Sequence, residues 1–318
     1  MLLKIGGENM NDNKKKIIKT VVLVFCIIVF LVSAVFIGKS LYEKYKEDKL
    51  LDDLRGQVEN TEPEEIIITE PKPDYSEALA INPETIGWIK IPGTNVDFPV
   101  TQHPDDANHP VSQNYYLTRT FEGKHSVYGS IYMDYRNDPV EFDTNTIIYG
   151  HNGYNDKVFS DVAKYDDFEF YKAHPVIEFN TLEKYYKWKI CAVFITNSSA
   201  KDDNGYAFNY LYPYLDGENF EGYIKEIQKR SLYNTGVDIQ PDDKLLTLST
   251  CSRNLDIPGY RANVRIAVVA RAVRYGEDET VDVSKATKNE SPKYPQLYYN
   301  KYGLTNPYKN DERWYPED

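Results

Sequence analysis

The sequence predicts a mostly β domain with peripheral helices (α+β), a barrel or sheet of about eight strands, preceded by one N-terminal transmembrane helix. Three observations predict it. Thr20 to Gly38 runs 19 residues without a charge. Beyond Trp88 the chain breaks into short β-type runs punctuated by turn residues, with one clear helical period among them. Aromatic usage is high, with 28 Tyr and 13 Phe among 318 residues, and such side chains suit pleated, half-buried surfaces.

The charge balance narrows the class of function. Lys and Arg number 37 against 49 Asp and Glu, a net charge of −12. An acidic chain lacks the cationic face that displaces counterions from nucleic acid, so no nucleic-acid partner is expected. Cys26, Cys191 and Cys251 are the three cysteines. With no C-x-x-C spacing, and no paired His or Cys near His151, no metal site and no cofactor are expected.

In chain order, residues 1–19 form a basic tail carrying Lys14, Lys15, Lys16 and Lys19. Residues 20–38 at ~1.5 Å per residue reach roughly 29 Å, enough to span a hydrocarbon core. The upstream lysines favour a cytoplasmic N-terminus, with later residues outside a single-pass cell-membrane anchor. The alternative is a cleaved signal peptide ending at Val32-Ser33-Ala34, but Val35-Phe36-Ile37 prolongs the apolar run beyond that site. Cys26 is then an apolar filler.

Residues 39–74 read as a juxtamembrane helix and a charged, Pro-containing spacer. Tyr75 to Asn82 reads as one or two helical turns stopped by Pro83. Strands are expected at Trp88–Ile91, Val96–Val100, Ser130–Met133, Thr146–Tyr149, Val176–Asn180, Tyr185–Ile195, Lys244–Ser249 and Arg265–Val273. Phe220, Tyr223, Ile224 and Ile227 fall at i, i+3, i+4 and i+7, one amphipathic helix packed on the sheet. Residues 75–275 are read as one folded domain. Residues 276–318 form a polar, Tyr-rich tail without a sustained period, flexible and partly packed on the domain.

Chemistry is sought where strands break into loops. Cys251 ends the apolar run Leu245-Leu246-Thr247-Leu248-Ser249-Thr250, where a thiol is reachable; it fits either a nucleophile or an inert small hydrophobe. Cys191, inside Lys189–Ile195, is a packing residue, although a Cys191–Cys251 disulfide is conceivable. His151 follows Ile147-Ile148-Tyr149-Gly150 at a similar strand end and suits an acid/base role beside a thiol. His103, His109, His125 and His174 fit surface loops or turns. Arg253 and Arg261 lie in the loop after Cys251, and Arg265 opens the next strand. If these two strands pair, Arg265 lies beside the thiol, where a guanidinium either stabilises an oxyanion or is a solvated charge.

Together these segments resemble a class B sortase. The resemblance rests on Ser231-Leu232-Tyr233-Asn234-Thr235-Gly236-Val237 and on Asp243-Lys244-Leu245-Leu246-Thr247-Leu248-Ser249-Thr250-Cys251. Gly87-Trp88-Ile89-Lys90-Ile91-Pro92-Gly93-Thr94, Phe98-Pro99-Val100-Thr101-Gln102, Gly129-Ser130-Ile131-Tyr132-Met133-Asp134 and Ile148-Tyr149-Gly150-His151-Asn152 add to it, over about Tyr75 to Val273. It implies a closed eight-stranded sortase-type β-barrel and a cysteine transpeptidase of Gram-positive surfaces. By resemblance Cys251 is the nucleophile, His151 the acid/base, and Arg265 the oxyanion stabiliser together with a backbone N–H near Ser252. Arg261 is the alternative, since 14 positions separate Cys251 from Arg265, more than the family pattern leads one to expect. Ser249, Thr250 and Ser252 are the expected substrate contacts.

The partners implied are secreted proteins with a C-terminal Pro/Thr-containing sorting motif, cleaved after Thr through a thioacyl intermediate, and an amine of a peptidoglycan precursor. The rival readings are a membrane-tethered cysteine endopeptidase that only hydrolyses, a pilus-building sortase, and a non-catalytic surface adhesin.

Overall fold

The computed structural model describes residues 6–59, 74–104, 114–153 and 158–316, with side chains from residue 18 onward apart from residues 58 and 59. His109 and most of the spacer, residues 60–73, lie outside the described residues. The chain divides into two compact units, Met1–Gly56 and Gln57–Asp318. The first is built on one helix, α1 (Gly6–Glu59). Its apolar stretch has a mean hydropathy of 3.2 and is unburied, a helix long and apolar enough to cross a membrane.

The second unit opens with α2 (Ser76–Ile81), followed by β1 (Thr85–Lys90), β2 (Asp97–Thr101), β3 (Tyr132–Met133) and β4 (Asn145–Tyr149). Next come α3 (Ser160–Ala163), α4 (Phe168–Ala173), β5 (Val176–Thr181) and β6 (Lys187–Asn197). Then α5 (Gly217–Arg230), β7 (Tyr233–Asn234), β8 (Leu245–Cys251), β9 (Val264–Ala272), β10 (Thr287–Lys288) and α6 (Gln296–Tyr302) complete it. The expected eight strands close into a barrel in the order β1-β2-β3-β4-β8-β9-β6-β5. Closure leaves no free edge.

Two neighbouring pairs position the site. Strand β4 runs parallel to β8, with Tyr149 opposite Ser249. Strand β9 runs antiparallel on the other side of β8, with Arg265 opposite Cys251. Leu246 and Leu248 on β8, with Ile266, Val268 and Ala270 on β9, belong to the main core. Alternate residues Leu245, Ala267 and Val269 belong to a second apolar layer with Phe208, Phe220, Tyr223 and Ile227. Period-2 alternation therefore buries both faces of these strands, which is why they read as near-continuous apolar runs.

Helix α5 covers the second layer. Phe220, Tyr223 and Ile227 are buried, and Lys229 and Arg230 sit in the last turn, where cations complement the helix dipole. The tail after Val273 follows the barrel surface. Strand β10 pairs with β7, and the Asn289 amide donates to Ser231 O.

Candidate active site

The two pairings of β8 line up three residues from distant parts of the chain. Parallel register makes Tyr149 and Ser249 the last β4–β8 pair, so His151 and Cys251 each lie two residues further in the same direction. Cys251 in turn faces Arg265 across the antiparallel ladder. With strands ~4.8 Å apart, the thiol-bearing backbone is flanked by the histidine segment on one side and the arginine strand on the other.

The end of this parallel pair is tied together beyond the last strand residues. The Gly150 N–H donates to Ser249 O at 3.4 Å, the Thr250 hydroxyl donates to Gly150 O at 2.8 Å, and the Asn152 amide donates to Cys251 O at 2.8 Å. Gly150 is required by close approach: a Cβ there would meet the Phe159 ring at 2.7 Å. The imidazole is anchored as well, with His151 Nε2 lying 2.8 Å from Leu117 O. A carbonyl only accepts, so Nε2 carries the proton in this contact, and Nδ1 is the nitrogen left for proton transfer.

A cleft of about 410 Å³ opens over this row, lined by His151, Cys251 and Arg265 together with Leu117, Tyr132, Tyr149, Ser249 and Thr250. Its far wall is Ala207 to Leu211, from the β6–α5 connection. Cys251 is half-buried, and it and Cys191 are both free thiols, so the conceivable disulfide does not form. Cys191 is buried in β6, and burial pushes its thiol up to about 12, an inert packing residue. Arg265 donates to Val264 O at 3.2 Å. Arg261 is exposed, lies beyond the Ile257–Tyr260 bridge of the preceding loop, and does not line the cleft.

The remaining expected contacts divide. Ser249 and Thr250 line the cleft, but Ser252 does not. The Ser252 N–H donates to Val264 O at 3.0 Å and its hydroxyl accepts from the Asn254 N–H at 3.3 Å. In this structure the N–H of Ser252 itself is therefore taken up by the β8–β9 ladder. The histidine expectations change in one place. His103 is not a free surface residue: its Nδ1 lies 2.9 Å from Glu84 Oε1 and its ring stacks on Tyr115 at 3.8 Å.

Several cleft residues carried no signal of their own in the sequence. Tyr210 is buried and hydrogen-bonds Ser249 Oγ at 2.6 Å. Tyr149 donates to Asp134 Oδ2 at 2.7 Å, and Arg136 pairs with the same carboxylate at 2.8 Å while donating to Leu211 O at 2.9 Å. Burial opposes the charge on Asp134, but the Arg136 and Tyr149 hydrogen bonds hold its carboxyl below the usual value. Burial pushes the hydroxyls of Tyr132, Tyr149 and Tyr210 upward. All three stay protonated at neutral pH. Tyr132 and Tyr210 share the lining of the cleft with Arg265 and Cys251.

The chain is similar to known proteins in both sequence and fold. Residues 89–273 match the family described as the Sortase domain. Sortase B of Listeria monocytogenes is 31% identical over 244 residues, covering 76% of this chain and 93% of the relative. Sortase B of Staphylococcus aureus is 30% identical over 204 residues, 64% of this chain and 76% of the relative. Among solved structures, a Staphylococcus aureus sortase B–substrate complex superposes with a TM-score of 0.60 at 27% identity, covering 73% of this chain and 99% of that one. A Bacillus anthracis protein similar to sortase B gives 0.57 at 28% identity, covering 72% and 96%.

Proposed function

The chain belongs to the sortase family as a class B member, a cysteine transpeptidase of surface-protein anchoring, and we propose that Cys251, His151 and Arg265 carry its chemistry. The observation that supports this assignment is the register across β4, β8 and β9, which sets the three residues side by side on one cleft.

Sortases act on sorting-motif substrates and on amines of cell-wall precursors. For this chain the first step is attack of the Cys251 thiolate on a Thr carbonyl of the motif. A C–S bond forms, the carbonyl oxygen takes the negative charge, and the Arg265 guanidinium stabilises it. The C–N bond then breaks as His151 gives a proton to the leaving amine, and a thioacyl enzyme remains. The incoming amine attacks the thioester, passes its proton to His151, and expels the thiolate as the new amide forms.

Ser249 and Thr250 lie under the peptide, and the wall from Ala207 to Leu211 covers it. Residues 75–275 are the catalytic domain, anchored by Thr20–Gly38 with the N-terminus cytoplasmic and the domain outside. The uncharged run and the basic cluster before it support that orientation.

The test is incubation of the protein with a Pro/Thr-containing pentapeptide and an oligoglycine amine. An amide joining the Thr carbonyl to the added amine is expected, and Cys251→Ala abolishes it. Free acid alone, whatever the amine concentration, identifies a hydrolase and overturns the transpeptidase reading. An amide product that survives Cys251→Ala overturns the assignment of the nucleophile.

A further inference from the structure

The cleft's far wall, Ala207 to Leu211, belongs to a connection that has only one short 3-10 turn, Ala200–Asp202, between β6 and α5. Phe208 and Tyr210 pack inward on Phe194 of β6, and a further segment closes over the outer side of the connection. The C-terminal segment does this.

Trp314 packs on Phe208 at 6.1 Å, edge-on to Tyr212 at 5.9 Å and on Tyr223 at 6.1 Å, favourable separations for aromatic pairs. Phe208 itself lines the cleft, so one ring is shared between the substrate site and the tail. The Tyr206 hydroxyl donates to Trp314 O at 2.9 Å, and Arg313 donates to Asn204 O at 2.8 Å. A notch on α5 accepts the indole: a Cβ on Gly222 would lie 2.3 Å from Trp314 Nε1. The same tail grips the opposite flank, where Lys301 Nζ donates to Asn254 O at 2.7 Å and to Asp256 O at 2.9 Å in the loop that follows Cys251.

We propose that Trp314 is a positioning residue for the sorting-motif peptide, acting through Phe208 to set the wall of the cleft, with the C-terminal segment as the strap that holds it there. This rests on reading the cleft as the transpeptidase site. Trp314 touches none of the reacting atoms, so its loss is read in peptide recognition and not in the reactivity of the thiol.

Steady-state kinetics on the full chain, with a fluorogenic Pro/Thr pentapeptide turned over by the wild type, test the proposal alongside iodoacetamide alkylation of Cys251. Trp314→Ala is expected to raise KM about 10-fold with kcat nearly unchanged, and Trp314→Phe to restore most of the loss. Gly222→Ala keeps the indole but fills its notch, and is expected to raise KM in the same direction, which carries the test if Trp314→Ala folds poorly. Alkylation of Cys251 stays at the wild-type rate in every variant. An unchanged KM in Gly222→Ala and Trp314→Ala overturns the proposal, as does a fall in kcat with a matching fall in alkylation. A wild type that forms no thioacyl adduct overturns the reading of the cleft instead, and so is told apart from failure of the strap.

Discussion

At the scale of single residues, the candidate site combines one polarisable nucleophile, one proton carrier and one fixed cation. Each has a distinct signature on substitution. Arg265→Lys keeps the charge but loses the planar fork, so kcat/KM is expected to fall about 10²–10³-fold, while iodoacetamide still labels Cys251. Labelling that fell with activity would mean that Arg265 acts on the thiol and not on the oxyanion. Asn152 is the second residue to probe, because its amide holds Cys251 O. Asn152→Ala removes a bond that sets the backbone carrying the sulfur. A fall in kcat of about 10-fold with little change in KM is expected from such a displacement, measured with the same peptide; a change in KM alone would assign Asn152 to peptide binding.

At the scale of elements, the parallel β4–β8 pair is what brings His151 to Cys251 across 100 positions of sequence. Gly150 lets that pair end correctly, since the Phe159 ring fills the space of a side chain there. Gly150→Ala is expected to displace His151 and cut kcat/KM about 10²-fold while the far-UV circular dichroism stays that of the wild type. Wild-type kcat/KM in the variant would show that the ring yields without moving the imidazole.

Strand ends were legible because the apolar runs Ile147–Tyr149 and Leu245–Leu248 are buried on both faces, and each stops beside a reactive side chain. The amphipathic period of α5 was legible for the same reason: one face packs and one is wet. Helices α3 and α4 left no trace, since four and six residues hold too few turns to show a period. Tyr210 and the wall around it were equally hidden, because an irregular aromatic-rich connection carries no periodicity. The engagement of the Ser252 N–H is hidden in the same way, because a sequence does not say which backbone N–H groups a ladder consumes.

At the scale of the whole molecule, charge placement around the barrel's far end bears on stability. Arg271 is buried, pairing with Glu277 and Asp238, and Lys189 pairs with Glu277 as well. Hydrogen bonds from Arg271, with those from Lys189 and the Arg274 N–H, outweigh burial and hold the Glu277 carboxyl well below its usual range. A depressed folded-state value means that the unfolded chain takes up this proton first as pH falls. The stabilisation is therefore complete above the ordinary glutamate value of about 4.3 and is lost progressively below it, down to the depressed folded-state value. Glu277→Gln is expected to lower Tm at neutral pH, and the gap from wild type is expected to hold down to about pH 5 and then to narrow steadily as pH drops towards about 2. Thermal unfolding across that range checks it, and a gap that stays constant would remove Glu277 from the acid limb.

The account as a whole stands on a covalent acyl group passing through one sulfur. Intact-mass spectrometry of the protein, quenched with acid during turnover of a Pro/Thr pentapeptide without added amine, measures this directly. The account predicts an added mass equal to the peptide fragment ending at Thr, located on Cys251, absent in Cys251→Ala, and discharged when an amine is supplied. Peptide cleavage with no adduct on Cys251, or with an adduct on another residue, would contradict it.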